Sequence, residues 1–442
     1  MGLLAAIGGL HFLAEGPASA PSLILLTPHG DNIREEIGTA FREWHRVRYG
    51  EVPELTWVDQ GGASEDLRYV LARYAKSPGG IGIDLFFGGG TPPFRTLAKA
   101  GLLASDAVPA EALEGIPETL GGTRIYSREE GWYGTALSGF GILFNRALLR
   151  DQGLPEPRSW SDLAHPRAHG RVAMVDPRGS GSAHVIYEII LQRYGWERGW
   201  RILAAIAANA SHFTRGASAV LPLISAGEAA YTVAIDQYAW SLIEKLGIER
   251  ADFVLPAGET VTTPDPIAVL KGAPHPDLAA RFAAFALSAE CQRLWMLKAG
   301  APGGPRTQSL NRMSVRPALA EGLDTALSFV RGNPFAEAAA RDWEYSDSLT
   351  ESRWALVNDA LGLWLVDNHD AARAAYARLA PMHPARPEEW EAALAAHPLF
   401  APPAQWAAMR ETNERWKDDA FRNATVAAWA SRLARSARTG HD

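Results

Sequence analysis

Short apolar runs that stop on glycine and reopen as amphipathic helices recur along this chain, a rhythm that restricts it to an α/β architecture. Residues 23–26 lead through Thr27-Pro28-His29-Gly30-Asp31-Asn32 into a helical pattern over 33–44. Residues 55–58 pass through Gly61-Gly62-Ala63-Ser64 into a helix over 67–75, and residues 83–87 end on Gly88-Gly89-Gly90. Three strands thus end in glycine-rich loops on one side of a parallel sheet, the side where open α/β sheets bind ligands.

The most telling repeat of this pattern lies farther on. Residues 172–175 form an apolar strand, Asp176-Pro177-Arg178-Gly179 a sharp turn, and Ser180-Gly181-Ser182-Ala183 the opening of an apolar helix over 184–194. Backbone N–H groups at such a helix start point at one spot, and the macrodipole adds partial positive charge, so the spot suits an anion. Ser180 or Ser182 also serves as an ordinary N-cap, worth ~1 kcal/mol. His184, just inside the helix, is expected at the surface.

A second α/β unit begins near Leu137, with strands over 141–144 and 172–175 and helices over 147–152, 184–194 and 199–208. A strand over 229–235 delivers Asp236-Gln237-Tyr238 at its end; 253–255 follows, then a crossover over 260–266 and a strand over 267–270. The chain leaves the first unit and returns to it. The expected fold class is therefore α/β, two Rossmann-like lobes joined by a hinge. Lobe 1 is expected over 21–137 and 263–322, and lobe 2 over 138–262. Beyond residue 322 strands cease, and 323–442 alternates Ala- and Trp-rich helices with proline breaks, as a packing extension or cap would.

Composition narrows the function. A net charge of -7 and the lack of any block of five or six basic residues argue against nucleic acid as a partner. Cys291 is the only cysteine, so neither an intramolecular disulfide nor a thiolate metal cluster can form. Its neighbours Phe285, Leu287, Leu294 and Trp295 make it a buried hydrophobe rather than a reactive thiol. No Ser-His-Asp arrangement, HExxH or Walker loop occurs, so no enzyme activity is expected. The apolar run over 3–13 and Ala18-Ser19-Ala20 before Pro21 resemble a signal peptide over 1–20, although no Lys or Arg precedes the run. An extracytoplasmic or periplasmic location follows.

Four blocks, in order, carry a family resemblance: LILLTPHGDNIREEIGTAF; IDLFFGGG with FRTLAKAGLL; WSDLAHPRAHGRVAMVDPRGSGSAH; and DPIAVLKGAPHPDLAARFAAFALSAECQRLW. Over 23–322 the chain resembles the type II periplasmic solute-binding proteins of ABC importers, in particular the ferric-iron and organophosphate branch. The resemblance implies two lobes that close over a small anionic solute or a metal–anion complex. It also implies a monomer that hands its cargo to importer membrane subunits. The long C-terminal segment departs from the pattern.

The expected ligand contacts are His29, Gly30, Asp31, Gly62, Ser64, Gly89, Gly90 and Ser138, with Ser180, Gly181, Ser182, Asp236 and Tyr238 facing them. Asp265, beside the predicted hinge, joins them, although a turn carboxylate is its simpler role. In the family's ferric binders two adjacent tyrosines hold the metal; Tyr238 fits the first position, but Ala239 follows. His29, Asp236 and Tyr238, with Asp31 nearby, would form the alternative ferric site, a metal ion with a synergistic anion. An enzyme or a sensor subunit on the same bilobal fold is the rival from another class.

Overall fold

The computed structural model describes residues 20–383 and 386–439. Residues 1–19, which hold most of the signal-peptide expectation, lie outside them. No helix among the described residues is long and apolar enough to cross a membrane.

The first lobe opens with β1 (Ser22–Leu26), α1 (Asp31–Tyr49), β2 (Glu54–Val58), α2 (Ala63–Lys76), β3 (Leu85–Phe87) and α3 (Thr91–Lys99). β1 pairs in parallel with β2 and β3, so their carboxyl ends and glycine loops share one edge. A long strand, β4 (Trp132–Phe144), then carries the chain across.

The second lobe holds α4 (Arg146–Gln152), β5 (Val172–Val175), α5 (Gly181–Tyr194), α6 (Trp196–Ala208), β6 (Ala210–Thr214) and α7 (Leu221–Ala226). It continues with β7 (Tyr231–Ile235), α8 (Asp236–Leu246) and β8 (Asp252–Val254). β9 (Thr262–Val269) returns the chain to the first lobe, where α9 (Pro276–Leu287) and α10 (Ala289–Met296) close it. The strand order is β2-β1-β3-β9-β4-β7-β5-β6, with β8 also on β4.

β4 differs most from expectation. Only its end, over 141–144, reads as a strand in the sequence, yet all thirteen residues are extended and buried. A strand covered on both faces has no polar–apolar alternation to betray it. Its first part pairs antiparallel with β9, and its last part pairs with β7 and β8. The expected crossover over 260–266 is largely the first half of β9. β6 went unread because Ser211 and His212 interrupt its apolar character. The helix expected from 184 starts three residues earlier, at Gly181, where the Ser180 side chain accepts from the Ala183 N–H at 3.3 Å.

Past α10 the chain continues as α11 (Pro317–Glu321), α12 (Pro334–Ala339), α13 (Asp347–Leu361), α14 (His369–Leu379), α15 (Pro387–Ala396), α16 (Trp406–Glu414) and α17 (Asp419–Thr439). α13 lies on a polar stripe of α5. His184, Glu188 and Gln192, spaced four apart, share one helix face. His184 stacks on Trp354 with ring centroids 3.7 Å apart, and its Nδ1 lies 2.7 Å from the Asn358 amide. Glu188 receives Arg353 at 2.6 and 2.9 Å, and Gln192 donates to Thr350 at 2.9 Å. His184 is therefore buried, not at the surface as its sequence context implied: α13 covers the face that solvent would otherwise wet.

Aromatic contacts extend the seam. Trp196 donates to the Ala404 carbonyl at 2.9 Å, and its ring lies 5.1 Å from that of Trp406. Cys291 is buried, as its apolar neighbours suggest, and burial pushes its thiol pKa up.

Glu188 and Arg353 are each almost fully buried, so losing one leaves the other charge unpaired. Arg353→Ala is expected to cost about 3–5 kcal/mol of unfolding free energy. A double Arg353→Met, Glu188→Met variant should recover most of that loss, as read from urea denaturation midpoints.

Candidate ligand-binding cleft

A cavity of about 330 Å³ opens where β4 and β9 cross between the lobes. Five helix starts reach it: Ala63 of α2, Thr91 of α3 with Gly90 before it, Gly181 and Ser182 of α5, Gln237 of α8 with Ile235 before it, and Asp347 of α13. Each start brings N–H groups without intrahelical partners and the positive end of a macrodipole. The hinge strands add Ser138 and Phe140 from β4, and Thr263, Pro264 and Asp265 from β9.

Asp265 is the electrostatic centre of this region. Its Oδ2 lies 2.9 Å from His29 Nε2 and also accepts from Arg312 Nη1, while its Oδ1 accepts from the Gly90 N–H at 2.9 Å. Burial pushes its carboxyl pKa up. The Arg312 guanidinium, the His29 ring and the Gly90 N–H outweigh that and hold it well below the usual carboxylate range. Burial drives His29 the other way, below the ordinary histidine value, against the pull of Asp265. The ionised Asp265 can only accept, so Nε2 carries a proton in this contact. His29 Nδ1 is left buried without a partner.

Asp265 is no turn residue. It sits within β9 between Pro264 and Pro266, and the pairing with β4 shifts register between Asp265 and Pro266. Proline cannot donate to the ladder, and a bulge tolerates that loss. Thr135 Oγ1 donates to the Asp265 carbonyl at 2.9 Å in place of a ladder bond.

The glycine loop after β3 is shaped by the same group. Gly88 has φ +86°, and a Cβ there would run into the His29 ring. Gly89 has φ +99°, and its Cβ would lie 2.7 Å from that of Ala63. Larger residues would push α2 and the histidine away from the cleft.

Of the expected contacts, His29, Gly89, Gly90, Ser138, Gly181, Ser182 and Asp265 line the cavity. Gly30, Asp31, Gly62, Ser64, Ser180, Asp236 and Tyr238 are not among its lining residues. The reasons are local. Asp31 points to solvent with its side chain 90 % exposed, and Gly30 precedes α1 beside it. Asp59 Oδ1 accepts from the Gly61 and Gly62 N–H groups at 2.9 and 3.1 Å, leaving Ala63 as that turn's only lining residue. Ser180 is the N-cap of α5. Asp236 turns back to β4, where its Oδ2 accepts from the Gly139 N–H at 2.7 Å. Tyr238 is half-buried along α8.

The ferric set is therefore not assembled. His29 is engaged by Asp265 on one nitrogen, and no group of three or more His, Cys, Asp or Glu side chains is gathered for a metal among the described residues.

Sequence reasoning missed Arg312 and the whole third wall of the cleft. Arg312 follows Asn311, which holds φ +54° and donates to Glu244 at 2.7 Å. Its own sequence surroundings carry no motif. Tyr345, Asp347, Thr350, Glu351 and Trp354 come from α13 and the segment before it, far from the lobes in sequence.

Two α/β lobes, two hinge strands and a cavity rimmed by helix starts define a two-lobed solute-binding protein. A family model described as "Bacterial extracellular solute-binding protein" matches residues 83–320, and the chain belongs to that family. The family and fold are those of non-enzymatic binding proteins.

Over 189 residues the chain is 31% identical to the phosphoglycerate transport regulatory protein PgtC of Salmonella typhimurium. That match spans 43% of this chain and 45% of the relative, less than half the length of either. Among solved structures, iron-bound HitA from Pseudomonas aeruginosa aligns with TM-score 0.53 at 21% identity, covering 73% of this chain and 93% of its own. The periplasmic binding protein AfuA from Actinobacillus pleuropneumoniae, with fructose-6-phosphate bound, aligns with TM-score 0.56 at 19% identity, covering 78% of this chain and 98% of its own. At such identities the likeness establishes the fold.

Asp236 gives the site a pH signature. Burial pushes its carboxyl up to about 7, against the Gly139 N–H, the Arg312 guanidinium and the Gln237 N–H. Its folded pKa exceeds the unfolded value near 3.8, so its stability contribution is full below about pH 4 and lost as pH rises through about 7. Relative to Asp236→Asn, the wild type should lose a few kcal/mol between pH 4.5 and pH 8, at ~1.4 kcal/mol per pK unit. Urea unfolding at the two pH values measures the difference.

Proposed function

We propose that this chain is the extracytoplasmic substrate-binding component of an ABC importer and that its solute is a small anion, a phosphate monoester or a carboxylate. With this goes the division into lobe 1 (21–137 and 263–322), lobe 2 (138–262) and an extension over 323–442. Capture proceeds by hinge closure: contacts that exist only when both lobes meet the solute shift an open–closed equilibrium. The closed complex is then what the importer's membrane subunits receive.

The observation that carries the anion is the meeting of five helix starts at one cavity, four of them, α2, α3, α5 and α8, without a carboxylate at the lining position. Arg312 supports it. One of its nitrogens is paired with Asp265, and the guanidinium also lines the cavity, where its remaining N–H groups suit a phosphate or carboxylate oxygen. The names of PgtC and of fructose-6-phosphate-bound AfuA point the same way. The ferric alternative through His29, Asp236 and Tyr238 lacks a gathered ligand set, and no observation favours it over the anion.

Isothermal titration of the full chain against ethyl phosphate, glycerol 1-phosphate, phosphonates and small carboxylates tests the proposal, with metal analysis of the same sample. Saturable binding of at least one anion is expected. No binding by any of them, or stoichiometric iron in the purified protein, would defeat it. Ser182→Ala should weaken anion binding by about tenfold, the value of one hydrogen bond to a charged group. Its melting temperature should hold, because Ser180 still caps α5.

A further inference from the structure

The third wall of the cavity is built by a segment that neither lobe contains. Four of its five lining side chains have partners within the chain. Thr350 Oγ1 lies 2.8 Å from the Tyr345 hydroxyl and accepts from Gln192 at 2.9 Å. Trp354 stacks on His184. Glu351 faces Arg95 and Lys99 of α3 at 3.4 and 3.7 Å.

Asp347 is the exception. It lines the cavity, and its carboxylate makes no hydrogen bond or ion pair among the described residues. Nor does it supply the cap of its own helix, because Ser346 accepts from the Leu349 N–H at 3.2 Å. Burial raises its carboxyl pKa, with Arg95 pulling against that and Glu351 adding to it. Asp347 lies in the first turn of α13, where the helix dipole favours its charge, yet no donor among the described residues reaches its carboxylate, so a solute in the open cavity can supply one.

We propose that Asp347 is a specificity-determining residue that accepts hydrogen bonds from the far end of the solute, which is therefore an anion carrying donor groups, hydroxyl or ammonium, opposite its phosphate or carboxylate. This rests on the anion proposal above and adds the second half of the ligand. The starts of α2, α3, α5 and α8 and Arg312 take the charged end. Phe140 and Trp354 flank the middle with apolar surface, and Asp347 takes the donors. An anion with a bare alkyl end would leave the carboxylate unsatisfied, which a site built on buried polar groups discriminates against strongly.

The test is a matched series titrated against the full-length wild type and Asp347→Asn: ethyl phosphate, glycerol 1-phosphate and 2-aminoethyl phosphate. At least one donor-bearing ester should bind the wild type roughly tenfold or more tightly than ethyl phosphate. Asp347→Asn should shrink that ratio while leaving ethyl phosphate affinity unchanged or improved. An ammonium ligand would lose nearly all its advantage in the variant. A hydroxyl ligand would keep part of it, because the asparagine oxygen still accepts.

Thermal melting serves as the control: the variant should melt no lower than wild type. Ethyl phosphate binding as well as both other esters, or a preference untouched by Asp347→Asn, overturns this inference and leaves the anion proposal standing. No binding by any of the three overturns this inference, and overturns the anion proposal as well when the phosphonates and small carboxylates also fail to bind.

Discussion

The buried contact between Asp265 and Arg312, with His29 beside it, is the interaction on which the cleft depends. One carboxylate on a hinge strand ties together the loop after β1, the glycine turn after β3 and the segment following α10. A buried ion is tolerable only when it is partnered, and both oxygens of the Asp265 carboxylate are, while Arg312 Nε and His29 Nδ1 have no partner among the described residues. Replacing the aspartate would leave a guanidinium and a histidine facing each other across the hinge. The loops that form the first lobe's rim would lose their common anchor. Asp265 neutralises Arg312 without covering all its donors, so the cavity keeps hydrogen-bonding capacity for an anion without an isolated buried charge.

Much of this was legible where a residue's local pattern is also its role. The strand–glycine–helix rhythm around His29, Gly89, Gly90, Gly181 and Ser182 led to cavity-lining positions, because a parallel sheet places every such loop on one edge. What failed were residues whose surroundings come from elsewhere in the chain. Asp31 and Ser64 lie in the first turns of α1 and α2, but both are exposed to solvent and neither lines the cavity. Asp265 reads as a turn carboxylate because two prolines flank it, and only the pairing of β9 with β4 reveals a bulge within a buried strand. Arg312 has no local signal at all: its role comes from a hinge strand 47 residues away.

The polar stripe on α5 explains why the C-terminal segment was hardest to interpret. The sequence places His184 at the surface, and nothing near it, Glu188 or Gln192 in the chain points to a cover. The cover is α13, whose Arg353, Trp354 and Thr350 match them one by one. Recognition of this kind is a pairing of two polar helix faces 160 or so residues apart, invisible to periodicity, which registers only the apolar side. Its consequence is mechanical. The helix that offers Ser182 to the ligand is held from behind by the segment that offers Asp347, so the two cannot move independently.

That coupling alters what hinge closure involves. In a protein of two lobes and two crossing strands, the cleft opens by rotating one lobe from the other. Here α13 is fixed on α5 of the second lobe, yet Glu351 reaches Arg95 and Lys99 of the first, and Arg341 reaches the Gly121 carbonyl. The Glu351 contacts are partly exposed, so each contributes on the order of 1 kcal/mol or less and is weakened by salt. A bias of that size leaves both states populated: 1.4 kcal/mol is only tenfold in an equilibrium constant. The contact is therefore too weak to lock the cleft. Under the closure proposed above it can bias the equilibrium only modestly, and the solute has to supply the rest of the closing free energy.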